Sequence, residues 1–164
     1  MISKKMEEAL NAQINEEMFS SYLYLAMAAY YTSIDLPGFS AWMRVQAKEE
    51  ETHALKFFDF IEERGGRVVL EAIRIPPRDW ASATHAFEAA LAHERSVTAR
   101  IHKLVDVARA ETDYATEFFL HWFVNEQVEE EATAEAIVKR LQMMGESKNG
   151  LLMLDHHLAK RGAD

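Results

Sequence analysis

The sequence predicts an all-α fold: a bundle of four long helices with one long crossover and a short fifth helix at the C-terminus. Three observations carry this. Only six Gly and three Pro occur in 164 residues, which leaves room for long uninterrupted helices. Apolar and small residues recur at helical spacing through four long segments. Between the second and third of these lies a stretch without a helical stripe, GGRVVLEAIRIPPRDW (65–80), with a Gly pair at one end and a Pro pair near the other.

The first helix spans about 5–32, with Met6, Leu10, Ile14, Ser21, Ala28 and Tyr31 on one stripe, and Glu17 and Tyr24 within it. SIDLPG (33–38) breaks the pattern, so the second helix, about 37–64, runs back antiparallel. It places Phe39, Met43, Gln46, Glu50, His53, Phe57 and Ile61 on one face. The segment 65–80 reaches ~50 Å when extended at ~3.3 Å per residue, against ~42 Å for a helix of this length, so the chain can return along the whole bundle. A third helix, about 82–109, carries Phe87, Ala90, Glu94, Val97, Ile101, Val105 and Ala108. The fourth, about 113–144, carries Phe119, Phe123, Gln127, Glu130, Ala134, Ile137 and Leu141, and Gly145 stops it. A fifth helix follows at about 148–160. The whole chain, 1–164, reads as one domain.

A composition of 49% apolar and 27% charged residues is that of a globular protein. The net charge of −9 argues against nucleic acid and anionic membranes as partners and favours cations. With no cysteine, disulfides, thiolate metal sites and cysteine-bound iron–sulfur clusters are excluded. The N-terminus, MISKKMEEALNAQ, has no apolar core of a signal peptide, and no run is long enough for a membrane span, so the expected location is cytoplasmic.

The four stripes share one interruption: Glu17, Glu50, Glu94 and Glu130 each sit near mid-helix on an otherwise apolar or small-residue face. In a bundle of similar helices they converge at one level. No Lys or Arg shares their stripes, and burying them unpaired would cost several kcal/mol apiece, on the order given by ion desolvation. A cation must come from outside. Four carboxylates and one imidazole suit two divalent ions of hard or borderline character. Glu17, Glu50 and His53 would hold the first ion, Glu94 and Glu130 the second, with Glu50 bridging. Gln127 stands where symmetric bundle sites carry a second His, and a neutral amide is a weaker ligand. Tyr24, two turns beyond Glu17, reads either as packing or as a group that hydrogen-bonds a ligand or donates an electron. Trp122 lies off the Glu130 stripe and reads as packing, and the His85–Glu88 pair as solvated surface. Glu49, Glu126 and Glu129 flank the stripes; they read as a solvated face or, with Glu130, as a third, more exposed metal site.

These residues carry a family resemblance. Glu17, the EEETH run at 49–53, Glu94 and NEQVEEE at 125–131 together make the chain resemble the bacterial non-haem ferritins along essentially its whole length. The resemblance implies a ferritin-like bundle with a di-iron ferroxidase centre at Glu17, Glu50, His53, Glu94, Gln127 and Glu130, with Tyr24 adjacent. It also implies a third iron site at Glu49, Glu126 and Glu129. Fe(II) and O2 or H2O2 would be the reactants, and the assembly a hollow shell of roughly 24 chains with the fifth helices about a four-fold axis. Haem is not expected: bacterioferritins carry a ligating Met directly after the Glu of Glu-x-x-His, and here that position is Glu51. Rubrerythrins append a cysteine-rich iron domain, and this chain has no cysteine. Asp113, Glu117 and His121 could line a channel at the shell's three-fold axis, although Leu120 departs from the acidic pattern of animal ferritins there. Two rivals stand beside iron storage: a di-iron peroxidase or oxidase working as a small oligomer, and a structural bundle whose acids are protonated or water-bridged.

Overall fold

A computed structural model describes residues 1–162. Among them run α1 (Lys4–Ser33), α2 (Pro37–Glu63), α3 (Ala83–Ala110), α4 (Tyr114–Met144) and α5 (Lys148–Leu158). Helix starts follow local chemistry. Ser3, Ser82, Asp113 and Ser147 each accept a hydrogen bond from a backbone N–H three residues on, and α2 begins instead with Pro37. Gly145, at φ 53°, ends α4 in a backbone region that glycine enters without a Cβ clash.

Helix α1 packs along α2, α3 along α4, and α1 also along α3. The crossover between α2 and α3 has no regular structure and lies against α1. Asn11 fixes it from both sides: its Nδ2 donates to the Arg67 carbonyl at 2.9 Å and its Oδ1 accepts from Val69 N at 2.7 Å. Further along, Asn15 donates to the Glu71 and Ala72 carbonyls, and Arg74 forms a two-pronged pair with Glu16 at 2.8 and 3.0 Å. The long return is therefore held by polar side chains of one helix.

The apolar core is in two parts. One cluster, built around Tyr31, Phe39, Phe87 and Ile137, fills the end of the bundle where α5 docks. The other, built around Leu10, Phe57, Ile101 and Phe123, fills the opposite end. Buried polar residues occupy the level between them.

Helix α5 folds back onto the start of α2. Leu154 and Leu158 enter the core, and Asp155 Oδ1 accepts from Phe39 N at 2.9 Å. A Cβ at Gly38 would lie 1.8 Å from the Asp155 carbonyl oxygen, so only glycine permits this approach. The turn after α5 lays the Arg161 guanidinium over the Trp42 ring at 4.2 Å and against Glu49 at 2.5 Å.

Candidate metal centre

The polar level holds Glu17 from α1, Glu50 and His53 from α2, Glu94 from α3, and Gln127 and Glu130 from α4, each no more than 6% exposed. The four acids do share one layer. Glu17, Glu50 and His53 bring ligand atoms within 4.8 Å of one another, and so do His53, Glu126 and Glu130. His53 joins the two groups: Nδ1 lies 3.3 Å from Glu50 Oε2, and Nε2 lies 4.0 Å from Glu126 Oε1. Its ring is held edge-on by Trp122 and Phe123, at centroid distances of 5.3 and 6.0 Å. Trp122 thus packs directly against a candidate ligand.

Hydrogen bonds to the carboxylates come from amides and one phenol. Gln13 Nε2 donates to Glu17 at 2.8 Å, and Gln46 Nε2 donates to both Glu50 (3.0 Å) and Glu130 (2.8 Å). Gln127 Nε2 donates to Glu94 Oε2 at 3.1 Å and to the Glu94 carbonyl at 3.2 Å, and Thr98 Oγ1 stands 3.3 Å away. The Tyr24 hydroxyl donates to Glu94 Oε1, while His93 packs edge-on to the Tyr24 ring. Neither Gln13 nor Gln46 had a role in the sequence reading. The available signal was spacing, since each lies four residues before the acid it serves, one turn away on the same face.

Among the described residues no ammonium or guanidinium enters this layer, and the electrostatics follow. Burial, then the Glu50 charge, pushes Glu17 well above the usual carboxylate range. Burial, then Glu94 and Glu130, does the same to Glu50. Glu94 is raised by burial against the opposing effect of its bonds from Tyr24 and Gln127. Glu130 is pushed up to about 7, by burial first and Glu94 second. Burial and Glu94 hold the Tyr24 phenol protonated well above its ordinary value. Two buried oxygens of this layer, Glu17 Oε2 and Gln46 Oε1, have no hydrogen-bond partner among the described residues. Orphaned oxygens in an acid-rich, cation-poor layer fit oxygen-seeking divalent metals.

The outer acids are arranged differently. Glu126 faces His53, Glu129 is exposed, and Glu49 is engaged by Arg161. Of the channel candidates, Asp113 caps α4 and pairs with Arg64 at 3.0 Å. Glu117 pairs with Arg109 at 2.7 Å and lies 3.8 Å from the exposed His121. Leu120 is fully buried. His85 and Glu88 form an exposed pair at 3.9 Å, away from this layer.

A helical bundle with a carboxylate-rich, histidine-bearing core defines the class of four-helix metal proteins. The comparisons narrow it. The ferritin-like domain family matches residues 7–144. A bacterial non-heme ferritin of Bacteroides fragilis strain 638R is 43% identical over 161 residues, covering 98% of this chain and all of the relative. One of Staphylococcus aureus strain MRSA252 is 40% identical over 164 residues, covering the whole of this chain and 99% of the relative. Among solved structures, a ferritin of Archaeoglobus fulgidus described as open-pore superposes with a TM-score of 0.97 at 57% identity, covering 98% of this chain and 99% of the other. The chain belongs to the ferritin family.

Proposed function

We propose that the protein stores and detoxifies iron, oxidising Fe(II) to Fe(III) within each chain at the buried layer. The observation that carries this reading is the set of four carboxylates, Glu17, Glu50, Glu94 and Glu130, converging with no Lys or Arg among the described residues to offset them. Glu17, Glu50 and His53 bind one Fe(II); Glu94, Gln127 and Glu130 bind the other, with Glu50 shared. Iron here is substrate. Two Fe(II) each give one electron to dioxygen, which takes up two protons and leaves as hydrogen peroxide; with peroxide as oxidant the products are two waters. Four carboxylates offset the charge of two Fe(II), and oxidation adds two positive charges that they do not offset. The amide of Gln127 is a weak ligand, so the product is free to leave.

Tyr24 holds Glu94, a ligand of the second ion, by its hydroxyl. Glu126, Glu129 and Glu130, joined by Glu49 once it leaves Arg161, form an outer station for a third iron. The chains assemble into a shell of roughly 24, the closed arrangement that gives a mineral a cavity. Each chain, 1–164, acts as one domain, and the shell works in the cytoplasm. Glu50→Ala and His53→Ala are expected to slow rapid Fe(II) oxidation at least ten-fold, the scale of losing one metal ligand at ~1.4 kcal/mol per decade, with the helical circular dichroism unchanged. Stopped-flow absorbance of ferric product reads this, and wild-type rates in both variants would refute it.

A further inference from the structure

Glutamine 46 lies on α2 one turn before Glu50 and is 1% exposed. It points its amide nitrogen at two carboxylates at once, Glu50 Oε1 on its own helix at 3.0 Å and Glu130 Oε2 on α4 at 2.8 Å. Its own oxygen has no partner among the described residues. A glutamine kept only for packing would leave neither an orphaned acceptor nor both donors on acids. The two oxygens of Glu50 face different ways: Oε2 lies 3.3 Å from His53 Nδ1, and Oε1 takes the Gln46 amide. The His53 side of Glu50 therefore belongs to the first ion's ligands, and the Gln46 side faces Glu130, a ligand of the second.

We propose that Gln46 is a positioning residue for the second metal ion, holding Glu50 and Glu130 together across α2 and α4 so that the ion meets a preformed pair. This rests on the di-iron reading above. Two buried carboxylates repel each other, and an NH2 group shared between them offsets that repulsion without neutralising either. A lysine in its place would hold them more strongly but would supply the charge the metal is meant to supply. Each carboxylate oxygen has two lone pairs, so it can accept the amide hydrogen and still ligate an ion. The two ions are then unequal by design: the first depends on Glu17, His53 and the far oxygen of Glu50, while the second depends on a pair that Gln46 assembles.

The test is a two-step titration of the metal-free, assembled protein with Co(II), by calorimetry and by visible absorption of the bound ion, in wild type and Gln46→Met. Methionine keeps the length and removes the donors. Gln46→Leu serves as a second variant, and gel filtration checks that each assembles. The expected result is an unchanged first step and a second step weakened about ten-fold, the loss of a hydrogen bond to a charged group. The absorption band of the second ion shifts as well. A second step as tight as wild type or tighter would overturn the proposal, and so would equal weakening of both steps, which a structural role alone produces. If wild type takes up two ions and Gln46→Met behaves identically, only this inference falls. If wild type binds no pair of ions, the di-iron reading falls and takes this one with it.

Discussion

Raising the pH on the metal-free protein is expected to destabilise it, and Glu130 sets the scale. In the folded chain its carboxyl is pushed from an ordinary value of 4.5 up to about 7, by burial and by Glu94. The folded state therefore holds this proton across a window where the unfolded chain has released it. Below about pH 4.5 both states are protonated and nothing is lost. As pH rises from there to about 7, stability falls; above 7 both states are ionised and the loss is complete. The gap of 2.5 pH units, 7 less 4.5, corresponds at ~1.4 kcal/mol per unit to about 3 kcal/mol. Glu17, Glu50 and Glu94 are raised too, so the total fall exceeds this. The assay is urea unfolding of chelator-treated protein at pH 5 and pH 8, followed by circular dichroism. Glu130→Gln keeps an acceptor for Gln46 and carries no charge, so its loss between pH 5 and pH 8, where most but not all of this range is crossed, should be smaller than wild type by about 2 kcal/mol. Adding Zn(II) at pH 8 to 100 times its dissociation constant should restore about 2.7 kcal/mol to wild type. Equal pH dependence in the two proteins would refute the assignment of uncompensated charge to this layer.

Gly38→Ala drives a Cβ into the Asp155 carbonyl, and α5 must move away from α2. The expected cost is ~1–3 kcal/mol in urea unfolding, with earlier proteolytic cleavage near residues 145–150. In an alkaline titration followed at 295 nm, Tyr24 and Tyr31, both fully buried and both raised, should stay un-ionised at pH 11 until the chain unfolds. Ionisation of Tyr24 and Tyr31 in the folded state would contradict the burial described.

The helices and the acid layer were legible because both are written in local pattern. Apolar spacing marks each helix, Pro37 and Gly145 mark ends, and each helix boundary falls within two residues of its sequence expectation. Glu17, Glu50, Glu94 and Glu130 stand out because a charge on an apolar stripe is costly without a cation. Gln13 and Gln46 did not stand out, since a neutral amide on the same stripe is a modest anomaly whose partners only the structure reveals. Long-range contacts were illegible for a different reason. Nothing near Glu49 announces Arg161, which lies 112 residues away, and nothing near Gly38 announces Asp155. Those contacts arise when α5 turns back onto α2, a packing event with no periodic signal in either segment. The crossover's length showed that it could span the bundle, whereas its attachment to Asn11, Asn15 and Glu16 of α1 depends on three polar side chains off the apolar stripe, whose partners carry no periodic signal.

The most direct measurement of the central claim is iron loading. Fe(II) in large excess is added in air to the metal-free protein, the mixture is passed through gel filtration, and iron and protein are assayed across the column. Storage in a shell predicts that both emerge together in one very large particle carrying many irons per chain. About two or three irons per chain on a small oligomer would point to a redox enzyme without storage. No iron with the protein would contradict the account and return the four buried acids to a structural role.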